Sequence, residues 1–235
     1  MSTSPNPEMI RTMFSKVAAE YDKANSILSV GIHHLWRKKL VALSGAKTGD
    51  QILDCATGTG DLAIEFKKAV GQSGQVIGTD FCPAMLTTAP IKAKKQNLEV
   101  QFEQADVTQL QYKDKQFDIV SISFGIRNVS DPLKALAEMA RVCKPGGRVM
   151  VLEFGQMKTP VVKDLYRFYS EKVLPVLGGL ITGQKEAYEY LQKSSAKFPC
   201  REEFIDLMKS SSCFSRTSFT SVSFGIAYIY TGIVK

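Results

Sequence analysis

Four aspartates and a glycine turn define the chemistry open to this chain. Asp54 and Asp61 flank Ala56-Thr57-Gly58-Thr59-Gly60, Asp80 follows twenty residues after Gly60, and Asp106 closes a later apolar run. Gly58, Gly60 and Ala63 fit a dinucleotide loop, in which a pyrophosphate lies over a helix N-terminus and a later acid holds a ribose. Carboxylates at Asp54 and Asp61 would raise the cost of that anion. A ligand carrying an ammonium and a sulfonium turns the same charge into attraction. S-adenosylmethionine has those charges, a ribose for Asp80 and no phosphate. The competing role for Asp61 is a plain helix-start cap.

The elements that must position these residues alternate in period. Gln51–Asp54 reads as a buried strand, the glycine turn lets backbone approach a ligand, and Leu62, Ile64 and Phe66 begin a helix. Further strands are expected at 75–79, 100–104, 117–123 and 148–153. Helices are expected from Pro83 to about Lys95 and from Asp131 to about Val142, with a turn at Lys144-Pro145-Gly146-Gly147. Strands alternating with helices predict an α/β fold with a doubly wound, mainly parallel sheet, whose ligands sit at the carboxyl ends of the strands. Asp54, Asp80, Asp106 and Glu153 then fall on the binding edge. The alternating segments from Phe214 to Lys235 predict a C-terminal antiparallel hairpin on the sheet edge.

Residues 1–8 read as a disordered tail, and 9–235 as one domain. Ahead of the first strand, residues 9–45 form a helical appendage, with one helix over Ile10–Glu20 and a basic one running from Gly31 to about Leu43. Residues 159–209 form a second helical insert. Val161, Val162, Leu165, Phe168, Tyr169, Val173, Leu174, Leu177, Leu180 and Ile181 make it unusually apolar, with breaks at Pro175 and Gly178-Gly179. It is either a core helix on the sheet or a lid lining a channel for a long hydrocarbon.

Composition narrows the classes. The 235 residues are 44% hydrophobic and 23% charged, which suits a globular domain with a sizeable core. A net charge of +7 suits an anionic surface, membrane or nucleic acid, but the basic residues are scattered. The runs at Arg37–Lys39 and Lys92–Lys95 read as solvated helix faces. Five cysteines with no CxxC pair indicate neither a disulfide framework nor a zinc site and fit a reducing cytoplasm. With His33 and His34 the only histidines, no metal site is expected. The longest apolar run, around Val173–Ile181, is about half of a spanning helix.

Three motifs carry a resemblance to the ubiquinone/menaquinone biosynthesis C-methyltransferases, class I S-adenosylmethionine-dependent enzymes, over nearly the whole chain. They are Tyr21-Asp22-x-x-Asn25-x-x-x-Ser29 with Gly31-Ile32-His33-x-x-Trp36, then Ser123-Phe124-Gly125-Ile126-Arg127-Asn128-Val129, then Arg141-Val142-x-Lys144-Pro145-Gly146-Gly147-Arg148 through Leu152-Glu153-Phe154. Ala24, Thr57 and Gly155 depart from the pattern without removing a charged group.

The resemblance implies a Rossmann-like methyltransferase fold and S-adenosylmethionine as cofactor. Thr59, Asp80, Asp106, Val107 and Ser123 match the family's cofactor contacts, beside Asp54, Gly58 and Gly60 from the loop. It implies as substrate a demethylated quinol with a polyprenyl tail, methylated on ring carbon, with demethylmenaquinol favoured over the benzoquinol series. For that chemistry Arg127 is expected to stabilise the phenolate, Asn128 to orient the ring, His33 to accept the proton, and Tyr21 and Asp22 to position the ligand. A bilayer-resident substrate implies a cytoplasmic protein in peripheral contact with a membrane surface; a homodimer is also compatible. Nucleic acid is not an expected partner. Competing classes are a sterol or phenol methyltransferase, an RNA methyltransferase and a nicotinamide-dependent reductase.

Overall fold

The structure, a computed structural model, describes residues 5–157 and 168–235. Seven strands form one sheet in the order β3-β2-β1-β4-β5-β7-β6. They are β1 (Gln51–Cys55), β2 (Gln75–Asp80), β3 (Gln101–Gln104), β4 (Phe117–Ser123), β5 (Cys143–Phe154), β6 (Phe214–Val222) and β7 (Ala227–Val234). The first five run parallel, and β7 pairs antiparallel with both β5 and β6, which is the expected C-terminal hairpin. The order reverses between β1 and β4, so the switch-point crevice opens above Cys55 and Ser123, where ligands of doubly wound sheets bind.

Helices cover both faces. On one, α3 (Ile32–Ser44) and α4 (Asp61–Val70) bury Trp36, Leu40, Leu62, Phe66 and Val70 against Ile52, Val76 and Ile119. On the other, α7 (Pro132–Val142) and α10 (Glu202–Ser210) bury Leu136, Met139, Phe204 and Met208 against Leu53, Val120 and Val151. Both layers follow the helical period of their apolar residues.

The appendage contains three helices. In α1 (Pro7–Val17), Asn6 Oδ1 accepts from the Glu8 and Met9 amides and Pro7 stands at the first turn. The helix therefore begins inside the stretch expected to be a tail, of which residues 1–4 lie outside the described residues. A short 3-10 turn, Ala18–Glu20, leads into α2 (Tyr21–Leu28), and Gly31, at φ +72°, turns the chain into α3.

Three other expectations are corrected. The helix expected from Pro83 to Lys95 is two, α5 (Pro83–Leu86) and α6 (Ala89–Lys95), because Pro90 offers no amide hydrogen to continue the first. The Lys144–Gly147 turn is absorbed into β5, with the pairing register shifting between Phe117 and Ile119. Gly178 and Gly179 do not break the lid helix. They lie within α8 (Leu174–Thr182), where Gly178 lets the Tyr188 ring of α9 (Lys185–Lys197) pack on the backbone, and Pro175 sits harmlessly in its first turn. A π-helical turn, Tyr169–Val173, precedes α8. Thr159, Val161, Val162 and Leu165 of the expected lid lie outside the described residues.

Candidate active site

The loop after β1 is built by backbone geometry. Ala56, Gly58 and Gly60 all take positive φ, and at Gly60 (φ +84°) a Cβ would stand 2.9 Å from the Phe102 ring, so glycine is required there. The Gly58 amide donates to Asp80 Oδ2 at 2.8 Å, and the Cys82 amide to Asp80 Oδ1 at 2.9 Å. Asp80 is thus fixed at the end of β2 with a lone pair on each oxygen still to spare. Burial raises its pKa to about 6.

Around this loop lies a cavity of about 120 Å³. Gly58, Asp80, Asp106, Val107, Ser123, Tyr21 and Asn128 of the expected site residues line it. Asp106 Oδ1 accepts from the Thr108 amide and hydroxyl, which leaves Oδ2 for a ligand. Ser123 Oγ is buried with no hydrogen-bond partner. An unsatisfied hydroxyl at the end of β4, on the wall of a cleft that also presents a sugar-type carboxylate, fits the polar methionine end of S-adenosylmethionine. Pro7, Ile10, Arg11 and Phe14 of α1 roof the cleft, and α1 is tied to it by the Cys82 thiol donating to the Arg11 carbonyl.

Three loop residues sit elsewhere than expected. Asp54 is fully buried beneath the loop, accepting from Thr57 Oγ1 at 2.6 Å and Ser121 Oγ at 2.7 Å, and burial pushes its pKa up to about 6. Thr57 is thereby the brace of the loop. Asp61 faces cations: Arg37 Nη1 at 3.0 Å and Lys92 Nζ. Burial works to raise Asp61, but these charges outweigh it and hold its carboxyl below the usual range. Thr59 Oγ1 donates to Asp22 Oδ1 at 2.5 Å and accepts from Lys92 Nζ at 3.2 Å, so its side chain turns away from the cleft. The expectation that Asp54 and Asp61 present free charge to a ligand is therefore corrected. Asp80 and Asp106 are the carboxylates that face the cleft.

Lys92, expected to be solvated, instead reaches in to Asp22 Oδ2 at 2.7 Å as well as to Asp61. Asp22 consequently belongs to a clasp between α2, α6 and the loop, not to a ligand surface.

A second cavity, of about 810 Å³, lies beneath the appendage. His33, Trp36, Arg127, Phe154, Tyr188 and Leu191 line it, and Phe14, Tyr21 and Phe124 line both cavities. Arg127 is buried, with Nη1 donating to Glu153 Oε1 at 2.8 Å and to the Phe124 carbonyl at 2.5 Å, and its guanidinium lies 5.3 Å from the Phe154 ring centre. Its Nε is buried without a partner. Glu153, closing β5, is raised by burial against the pull of Arg127. Asn128 Oδ1 accepts from the Tyr190 hydroxyl at 3.1 Å. Tyr21 is raised by burial and stays protonated.

His33 departs from its expected role. Burial first, then Arg37, lowers its pKa to about 3. Ser29 gives its hydroxyl proton to the Asn25 carbonyl at 2.7 Å, so its oxygen accepts from His33 Nδ1 at 2.5 Å and leaves Nε2 bare as an acceptor. His33, His34 and Asp61 also bring one ligand atom each within 4.8 Å of one another, but the Arg37 and Lys92 charges on Asp61 oppose a cation there.

Sequence reasoning missed Lys92, Arg37, Ser121 and Tyr190. Each acts through a contact with a residue distant in the chain, for which spacing carries no signal.

The chain matches the ubiE/COQ5 methyltransferase family over residues 2–234. It is 70% identical over 232 residues, 99% of this chain and 98% of the relative, to the ubiquinone/menaquinone biosynthesis C-methyltransferase UbiE of Bdellovibrio bacteriovorus. The protein of the same description from Francisella tularensis subsp. novicida is 41% identical over 222 residues, covering 94% of this chain and 88% of that one. Among solved structures, a SAM-dependent methyltransferase from Thermotoga maritima, described as a possible histamine N-methyltransferase, superposes with a TM-score of 0.68 at 20% identity over 95% of this chain and 99% of that one. A SAM-dependent methyltransferase from Aquifex aeolicus gives 0.63 at 19% identity, over 91% and 98%. At such identities these two report the fold.

Proposed function

Because this chain belongs to the ubiE/COQ5 methyltransferase family, we propose that it transfers a methyl group from S-adenosylmethionine to a ring carbon of a polyprenylated demethylquinol in ubiquinone/menaquinone biosynthesis, with demethylmenaquinol as the substrate. The observation that carries this reading is the wall shared by the two cavities. Phe14, Tyr21 and Phe124 border both a small cleft with carboxylates and an apolar space large enough for a ring and the start of its tail. Two ligands of opposite character can meet there edge to edge.

S-adenosylmethionine, when bound, supplies an electrophilic methyl group. The residues do the rest. Asp80 would accept from the ribose hydroxyls, Asp106 Oδ2 and the Val107 amide would hold the adenine, and Ser123 Oγ would meet the amino-acid end. Gly58 and Gly60 hold the loop close, and Asp54 keeps it rigid from below.

Carbon methylation needs electron density on the ring, which a quinol supplies once a hydroxyl proton is lost. Such a hydroxyl titrates near the tyrosine reference of about 10. His33, at about 3, lies about seven units below it. A full transfer to its Nε2 would be uphill by roughly 9 kcal/mol. His33 therefore serves as a neutral acceptor that orients the hydroxyl. Arg127 lowers the cost of the phenolate directly, the hydroxyl proton leaving to water, and Glu153 holds the guanidinium in place; once the new carbon–carbon bond has formed at the expense of the sulfonium carbon–sulfur bond, the ring carbon gives up its hydrogen as a proton and the aromatic quinol is restored. Asn128, steadied by Tyr190, positions the ring. Tyr21 closes the junction between the two ligands.

Among the described residues no helix is long and apolar enough to cross a membrane. The substrate's tail then requires contact with the cytoplasmic face of a bilayer from outside. The test is transfer of labelled methyl from S-adenosylmethionine to demethylmenaquinol in parallel with a demethylated benzoquinol and a sterol, together with calorimetric titration of S-adenosylhomocysteine and a nicotinamide dinucleotide. Binding of the dinucleotide in place of the homocysteine compound, or methylation of the sterol alone, removes the assignment.

A further inference from the structure

Apolar side chains are left in water on the rim of the larger cavity and on elements beside it. Val30, in the turn between α2 and α3, is 92% exposed, and Leu35 on α3 is 63% exposed; both border the cavity. Phe224, in the turn between β6 and β7, is 79% exposed, next to Ser223, whose hydroxyl accepts from the Trp36 indole at 2.8 Å. Helix α8 contains no charged residue. Its Leu174 and Ile181 pack toward Ala24 and Leu28 of α2, while Val176 and Leu180 point outward at 51% and 78% exposure.

Two of these positions are conformationally costly. Val30 (φ +51°) and Phe224 (φ +58°) both occupy the left-handed region, which a β-branched or bulky residue rarely enters. A chain that accepts such backbone to hold a valine and a phenylalanine in solvent gains no packing from them within the fold. The compensation must come from outside.

Charge selects what lies there. On α3, Lys38 and Lys39 are exposed one turn beyond Leu35, and the helix has no acidic residue. On α2, exposed Lys23, in an ion pair with Glu20 at 3.8 Å, precedes exposed Ile27 by one turn. Exposed Lys172 stands four residues before Val176, beside exposed Glu171. The net positive charge of the face thus comes from Lys38 and Lys39, and exposed aliphatic tips beside such lysines, with apolar stems and cationic heads, are the arrangement of a segment lying in a lipid headgroup layer.

We propose that α8 together with the α2–α3 and β6–β7 turns forms a membrane-docking face that seats the mouth of the larger cavity on an anionic bilayer, so that a prenyl tail passes from lipid into the protein without crossing water. The inference rests on the quinol reading for its purpose, but the face itself can be tested without the reaction. The experiment is flotation of the full chain with vesicles of phosphatidylcholine alone and with added phosphatidylglycerol, at low and high salt. The protein is expected to float, more strongly with the anionic lipid and less at high salt. Leu180→Asp and Val176→Asp should each lower partitioning about tenfold in both vesicle types. The Lys38→Glu/Lys39→Glu pair should abolish the phosphatidylglycerol dependence, and Leu133→Asp on α7 should change nothing.

Methyl transfer to a short-tailed quinol in solution should be unaffected by the α8 variants, whereas transfer to a long-tailed quinol in vesicles should fall with flotation. Equal flotation of Leu180→Asp, Val176→Asp and the parent overturns the proposal. So does a dimer in gel filtration that Leu180→Asp dissociates, since a second copy would then cover the face. Flotation that depends on the face in a protein inactive on every quinol would leave the docking surface standing and reject the proposed function.

Discussion

Replacing Arg127 by Leu separates chemistry from scaffolding. Arg127 and Glu153 are buried partners, with residue exposures of 7% and 1%. Removing one member of such a pair costs about 3–5 kcal/mol, because the other is left buried and charged. For a chain of this size each kcal/mol lowers Tm by roughly 2–4 °C, so Arg127→Leu should melt roughly 6–20 °C lower. Without Arg127, burial acts unopposed on Glu153 and its carboxyl takes up a proton, which trims the loss toward the lower figure. The double variant Arg127→Leu/Glu153→Gln should recover much of the stability, since no buried charge remains. Turnover should not recover. Loss of an electrostatic stabiliser at a developing oxyanion costs about 10²–10³ in rate. Calorimetry with S-adenosylhomocysteine should give an affinity within about threefold of the parent, because Arg127 borders only the larger cavity. Methyl transfer assayed well below both melting points then reads the chemical term alone. If the folded double variant turns over a short-tailed quinol within about threefold of the parent, Arg127 does not stabilise the phenolate and the mechanism fails.

Other expectations follow from the same geometry. Asp80, raised by burial to about 6, must be ionised to accept from two hydroxyls, so S-adenosylhomocysteine affinity should fall as pH drops through 6 and be flat above 7; a flat profile to pH 5 in calorimetry would exclude it as the ribose ligand. Asp54 is also raised, so the unfolded chain binds fewer protons than the fold between about 4 and 6. Its contribution to stability is full at low pH and is lost as pH rises through 6. The Tm difference between the parent and Asp54→Asn should change over that window. His33, lowered to about 3, should show no titration by NMR between pH 5 and 8, and His33→Ala should lower kcat without moving the pH profile there. Lys92→Ala removes the clasp joining Asp22 to Asp61, and amide exchange in α1 and α2 should speed up well before any change in the sheet.

The parallel half of the sheet was legible because its signal is local. Phe117–Ser123 is a strand with the expected ends, and Asp80 and Asp106 close their runs on the cleft as the doubly wound pattern demands. The motif around Arg127 likewise pointed to a residue that the structure buries on the wall of the larger cavity. What escaped was the pairing of charges. Asp61 looks like a free acid beside a glycine loop until Arg37 and Lys92, 24 and 31 residues away, are brought against it. His33 has an ordinary pKa in sequence and loses it to burial. The same holds for Gly155: a Cβ there would collide with the Tyr228 ring of the neighbouring strand β7, a contact that no spacing encodes.

Phe14 and Tyr21, from the helical appendage, wall both cavities at once. Any displacement of α1 or α2 at these two side chains therefore reshapes both cavities together, although the larger one also opens at its own rim. What fills one cavity thereby sets the shape left for the other.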